Sequence, residues 1–265
     1  MLTLMVRQIA QKTGVMQILR WTHTDGLVNR IWATGMGHYH QSEFHHKKRL
    51  SFFSQFIAPG DLVFDVGANL GQRAAIFREL GAHLVCIEPQ ESCVRTLRAT
   101  YASDPEVVIV NKALGDSSGE SEIMVSTRDH ALSTMTPRWT TDGRFATQAV
   151  WDARQHVTVV TLDSLLRQHG VPRFCKIDVE GFELYVLKGL TQRIPVISFE
   201  VTSDFLVDAQ QCLDRLASLG PVVFNFLWGE SMQLMLPTWV RSDELLRNID
   251  MSDKALWGDV YAKFL

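Results

Sequence analysis

Four acidic side chains stand at or near the ends of apolar, strand-like runs. They are Asp65 within Leu62-Val63-Phe64-Asp65-Val66, Glu88 after Val85-Cys86-Ile87, Asp178 after Phe174-Cys175-Lys176-Ile177, and Glu200 after Ser198-Phe199. The first run leads into Gly67-Ala68-Asn69-Leu70-Gly71, and Pro89 follows Glu88. Glycines let a backbone pass close to a ligand, and an acid ending the next strand can accept hydrogen bonds from both hydroxyls of a ribose. That layout suits a nucleoside.

A dinucleotide site needs glycines at the first, third and sixth positions of its turn. Counted from Gly67, the third and sixth positions hold Asn69 and Gln72. A pyrophosphate-cradling nicotinamide site is therefore a poor fit. Asp-x-Gly-x-x-x-Gly with a downstream acid reads instead as a site for S-adenosylmethionine (SAM), which has no diphosphate. The plainer alternative is an ordinary tight turn between a strand and a helix.

The stretch Lys176-Ile177-Asp178-Val179-Glu180-Gly181 delivers two carboxylates to one strand end, and Glu200 ends the next strand. Lys176 shares a face with Asp178, and its charge favours ionised carboxylates. Acids at such ends can simply cap helices. Converging on one rim, they can also take a proton from an alcohol, which needs a base or a metal to lose it. Asp178, Glu180 and a histidine from the N-terminal segment are the candidate bases. Asp178 with Glu200 offers hard oxygen ligands for a divalent cation, but two acids are an incomplete set and no metal is assigned. His38, His40, His45 and His46, around Tyr39, Glu43 and Phe44, can be read as a transition-metal cluster or as an exposed helical face; the second reading is preferred.

These residues need a frame that brings strand ends together. Strands are expected at 62–66, 83–87, 107–111, 174–179, 196–201 and 222–227, with helices near 70–80, 90–102, 162–169, 182–189 and 205–219. Alternation of this kind implies a doubly wound, mostly parallel α/β sheet whose strand C-termini share one edge. Short strands at 121–126 and 157–160 flank a polar segment, 127–156, whose Arg138, Trp139, Arg144, Phe145, Trp151 and Arg154 suggest a lid over an acceptor. After 228 a second irregular stretch carries Trp228, Trp239 and Trp257, a helix is expected at 243–249, and Val260–Leu265 alternates as a last strand. Residues 1–58 read as a helical extension contacting substrate or a homodimer partner, and 59–265 as the catalytic domain.

With 265 residues, 46% hydrophobic and 21% charged, the chain can bury a large core. Its net charge of −3 gives no reason to expect a nucleic-acid partner. The cysteines Cys86, Cys93, Cys175 and Cys212 lack Cys-x-x-Cys spacing and read as buried thiols in a reducing compartment. No apolar run suffices to span a bilayer, and Leu2, Met5, Val6 and Ile9 make a one-faced helix. The expected location is the cytoplasm.

Taken in order, Asp65-Val-Gly-Ala-Asn-Leu-Gly71, Glu88-Pro89, Asn111-Lys-Ala-Leu-Gly-Asp116, Thr161-Leu-Asp163, Lys176-Ile-Asp-Val-Glu-Gly181 and Phe199-Glu200-Val201 resemble the FkbM-type family of SAM-dependent methyltransferases. The resemblance covers about 60–202. It implies a seven-stranded class I methyltransferase sheet with its last strand antiparallel. It also implies O-methylation of a small-molecule hydroxyl, on a sugar, glycan or polyketide-type metabolite. The SAM contacts it suggests are Asp65, Gly67, Ala68, Asn69, Gly71, Glu88, Pro89, Asn111, Ala113 and Asp178, with Lys176, Asp178, Glu180 and Glu200 at the reacting end. Two readings compete with catalysis of this kind: a nicotinamide-dependent oxidoreductase, and a non-catalytic SAM-fold binding protein.

Overall fold

Strand β1 (Leu62–Val66) and strand β7 (Phe174–Ile177) are covered on both faces and apolar apart from the cross-strand pair Asp65 and Lys176. Phe64, Val66, Cys175 and Ile177 point into one core, whereas Val63 and Phe174 point into a second core on the other side. That division is the mark of a sheet wound on both faces. The computed structural model describes residues 43–143, 145–249 and 256–265, and residues 46–265 form one compact unit. His38 and His40, Arg144 and the apolar stripe at the N-terminus lie outside the described residues.

Besides β1 and β7, the main sheet contains β2 (His83–Ile87), β3 (Val107–Val110), β8 (Val196–Thr202), β9 (Val222–Trp228) and β10 (Trp257–Phe264). The strand order is β3-β2-β1-β7-β8-β10-β9. All pairings from β3 to β8 are parallel, and β10 runs antiparallel to both β8 and β9. This is the seven-stranded sheet that the sequence led us to expect, with the antiparallel last strand slotted between its two neighbours.

A smaller sheet, β4-β6-β5, is built from β4 (Ala113–Leu114), β5 (Gly119–Val125) and β6 (Ala153–Val160). Strand β6 starts four residues before the expected 157, since it pairs along the whole of β5. The irregular part of the polar segment is correspondingly shorter. Its two ends are clasped where Asp152 accepts hydrogen bonds from the Thr127 amide at 3.0 Å and the Thr127 hydroxyl at 2.6 Å.

Among the described residues the helices are α1 (Glu43–Phe53), α2 (Gln72–Glu79), α3 (Glu91–Thr100), α4 (Pro137–Thr141), α5 (Leu162–His169), α6 (Glu183–Lys188), α7 (Leu206–Leu219) and α8 (Ser242–Asn248). Aromatic residues lock α1 to the second core. Phe53 meets Phe77 edge-on at 5.0 Å, and Phe56 stacks on Phe174 and Tyr261 at 5.9 and 5.2 Å. Such contacts each contribute about 0.5–1.5 kcal/mol beyond their buried area. All four cysteines are buried and unpaired. No helix among the described residues is long and apolar enough to cross a membrane.

Candidate functional site

A cleft of 190 Å³ opens along the C-terminal ends of the central strands. The turn after β1 forms its floor. Gly67, Asn69 and Gly71 all have positive φ, and the amides of Gly67 and Ala68 both donate to the Ile87 carbonyl, at 2.9 and 3.1 Å. Sequence reasoning assigned the glycines to close approach of a ligand. Gly67 lines the cleft, and the turn also makes a close internal approach. A Cβ on Gly67 would lie 1.8 Å from the Asp178 carbonyl oxygen, and one on Gly71 would lie 2.9 Å from Leu97. The turn is therefore pressed against β7 and α3, and Gly71 begins α2 without lining the cleft.

Glu88 is 2% exposed, and its carboxylate lies in the cleft wall. One oxygen accepts from the Asn69 amide at 2.9 Å and the other from the Gln90 amide at 2.8 Å. Each carboxylate oxygen has two lone-pair sites, so both still have capacity to accept from a ligand. Burial raises the Glu88 carboxyl to about 7, against the pull of those two amides. Asn111, expected to touch the cofactor, works behind it: its amide donates to the carbonyls of Glu88 and Pro89, both at 3.1 Å, and it does not line the cleft. Ala113, with Lys112 and Leu114, does line it.

At the end of β7, Lys176 Nζ donates to Asp178 Oδ2 at 2.5 Å. Lys176 is 3% exposed. Burial pulls its pKa down, but the carboxylates of Asp178, Asp259 and Asp65 outweigh that and hold it above its ordinary value. Asp65, the cross-strand neighbour of Lys176, is raised to about 6 by burial, which Lys176 only partly offsets. Asp178 and Val179 lie beyond the strand because the chain turns, with Glu180 and Gly181 at positive φ. Glu183 secures this turn by accepting from the amides of Val179 at 3.1 Å and Gly181 at 3.3 Å. One carboxylate oxygen from each of Asp178, Glu180 and Glu200 lies within 4.8 Å of the others. The three expected rim acids are thus brought together, Glu200 from the side of a small cavity it shares with Trp139 and Thr202.

The polar segment meets this site differently from the lid expected of it. Trp139 is 1% exposed and stacks on Phe205 at 5.4 Å, so it is a core side chain and cannot serve as an open platform for an acceptor. Trp151 is likewise engaged, donating to the Leu132 carbonyl at 2.7 Å. What faces the cleft is His130, Ala131 and Ser133 to Met135. They are tied to the Glu88 loop through Gln90, which donates to the His130 carbonyl at 2.9 Å and accepts from the Ser133 hydroxyl at 2.8 Å. Of the N-terminal histidines, His46 pairs with Glu79 at 2.7 Å and does not line the cleft.

Gln90, Glu183, Arg49, Arg73 and Glu230 were not anticipated. Gln90 and Glu183 stand beside motif acids, and that adjacency was the available signal. Arg49, on α1, and Glu230, after β9, lie 181 positions apart, so no local pattern joins them.

Residues 65–225, more than half of the chain, match the Methyltransferase FkbM domain. The chain belongs to the FkbM methyltransferase family. Over 148 residues it is 26% identical to the hexuronic acid methyltransferase AglP of Haloferax volcanii, a match that spans 53% of this chain and 54% of that protein. The FkbM chain thus spans about half the length of that curated relative. Among solved structures it is similar to an O-methyltransferase from Bacillus cereus in complex with S-adenosylhomocysteine (SAH), at 13% identity with a TM-score of 0.42, covering 91% of this chain and 89% of that one. It is also similar to Aeropyrum pernix fibrillarin with natively bound SAM, at 9% identity and a TM-score of 0.44, covering 82% of this chain and 75% of that one.

Proposed function

We propose that this FkbM-family chain is a SAM-dependent O-methyltransferase acting on a hydroxyl of a small sugar-type molecule. The observation that carries the reading is the buried carboxylate of Glu88, a residue lining the cleft, held by two backbone amides. Such an acid suits a ribose diol. Leu114, Ile123, Met135 and Phe182 supply apolar wall for an adenine, and charges of both signs at the other end suit an amino acid. The donor set fits SAM. The sugar class is taken from the relative that methylates a hexuronic acid, and four buried free thiols agree with a cytoplasmic setting.

SAM supplies an activated methyl group on a sulfonium. The protein's part is alignment and proton removal. Glu88 fixes the nucleoside, so that the sulfonium end falls toward Asp178. Lys176 fixes the Asp178 carboxylate through their ion pair. Asp178 or Glu180 accepts the proton of the acceptor hydroxyl as its oxygen attacks. Glu183 holds the turn that presents both.

A second reading, that a divalent cation on the rim binds the acceptor oxygen, is favoured by one observation: the three carboxylates within 4.8 Å of one another. Hard oxygen ligands of that kind suit Mg²⁺ or Mn²⁺. The function is tested by incubating the protein with isotopically labelled SAM and a panel of sugars and sugar acids. Label appearing in a methyl ether supports the proposal; label in no acceptor, or transfer to nitrogen or carbon, contradicts it.

A further inference from the structure

The cleft has two chemically different ends. Lys112 to Leu114 follow β3 and Glu88 to Gln90 follow β2, which sets the nucleoside end over that side of the sheet. Toward β7 and beyond, the wall is made by Arg49 from α1, Arg73 from the first turn of α2 and Glu230 from the loop after β9. Glu230 divides its carboxylate between them: Oε2 accepts from Arg49 at 3.1 Å, and Oε1 accepts from Arg73. Two guanidinium groups brought side by side would repel; the Glu230 carboxylate between them holds them in place, and the Asp259 carboxylate also acts on Arg73. A guanidinium presents its donors in a planar fork that matches a carboxylate.

A ligand whose nucleoside sits at Glu88 and whose chain crosses the ends of β1 and β7 brings its far end to this cluster. We propose that Arg49 and Arg73, braced by Glu230, form the receptor for the carboxylate at the amino-acid end of SAM. This rests on the SAM reading given above. Arg49 and Glu230 both lie outside the residues matched by the family, so geometry and not a motif assigns them. Position also argues against a purely structural triad, since a structural ion cluster has no need to line the cleft.

The test is calorimetry on the full chain with two ligands, SAH and 5′-methylthioadenosine, which keeps the adenosine and sulfur but lacks the amino acid. In Arg49→Gln, affinity for SAH should fall roughly ten- to a hundredfold, as loss of a charged hydrogen bond predicts, with affinity for methylthioadenosine unchanged. Equal loss for both ligands would make the cluster a scaffold, and no loss for either would remove it from the cofactor site; each result overturns the proposal. A wild-type protein that binds neither ligand overturns the SAM reading, and the receptor with it. Should Arg49→Gln not fold, Arg49→Lys keeps the charge and loses the fork. The same selective loss of SAH is expected there, and its absence counts against the receptor.

Discussion

A Cβ placed on Gly67 would sit 1.8 Å from the carbonyl oxygen of Asp178, so the turn after β1 and the strand end that carries the rim are in direct backbone contact. One glycine therefore sets the spacing between the cleft floor and the acid proposed to accept a proton.

Gly67→Ala should accordingly be disruptive. It adds a backbone clash and places a side chain at φ +79°. Left-handed strain and overpacking together should destabilise the fold by roughly 2–6 kcal/mol. Chemical denaturation checks this, and a variant as stable as the wild type would show that the turn relaxes freely.

The rim makes a divided prediction. With a carboxylate acting alone as base, Asp178→Asn or Glu180→Gln should lower kcat ~10²–10⁴-fold with the fold intact, and EDTA should have no effect. If a cation bridges the three acids, EDTA should stop turnover and Mg²⁺ or Mn²⁺ should restore it. Normal turnover in both variants and in Glu200→Gln, with EDTA harmless, would remove the rim from the reaction.

The parallel sheet explains how much of this site was legible in the sequence. Strand ends must share an edge once strands and helices alternate, so Asp65, Glu88, Asp178 and Glu200 could be placed together from their positions after apolar runs. The glycine turn carries a second contact that the sequence did not reveal, because a sequence does not say whether a glycine faces ligand, backbone or both. Trp139 was misjudged because its neighbours are polar, whereas its burial depends on Phe205, brought in by a distant 3₁₀ turn. The Arg49–Glu230 pair depends wholly on tertiary structure. Gln90 was hidden in plain view: it caps α3, yet its amide group joins the Glu88 loop to the inserted segment.

Breaking that link should perturb both. Gln90→Ala leaves the hydrogen bonds that Gln155 donates to the Pro89 carbonyl and accepts from the Glu91 amide, but removes two others that hold the inserted segment to the Glu88 loop. Their loss should weaken SAH binding by roughly three- to tenfold, in line with about 0.5–1.5 kcal/mol per bond partly recovered by water. It should also raise hydrogen exchange at residues 126–133. Unchanged exchange there would show that the segment is held by its own Thr127–Asp152 clasp.

Stability and binding should depend on pH in opposite senses. Burial raises Glu88 and Glu183 to about 7, and Asp65 and Asp259 to about 6. A carboxyl raised by folding contributes stability that is complete below its unfolded value near 4 and is lost as pH climbs through the folded value. The ligand-free protein should therefore melt at a higher temperature near about pH 5.5 than near about pH 8. SAH binding should instead strengthen as pH rises through about 7, since ionised Glu88 is the better acceptor for the diol. A ligand-free melting temperature that rises steadily over this range would contradict the assignment.

The measurement that bears most directly on the whole account is the affinity of SAH for Glu88→Ala, determined by calorimetry beside the wild type. Glu88 should contribute two charge-assisted hydrogen bonds to the ribose, and its removal should weaken binding by roughly 1.5–3 kcal/mol, about ten- to a hundredfold. An affinity equal to that of the wild type, in a variant that folds normally, would mean that the nucleoside lies elsewhere and that this cleft is not the methyl-donor site.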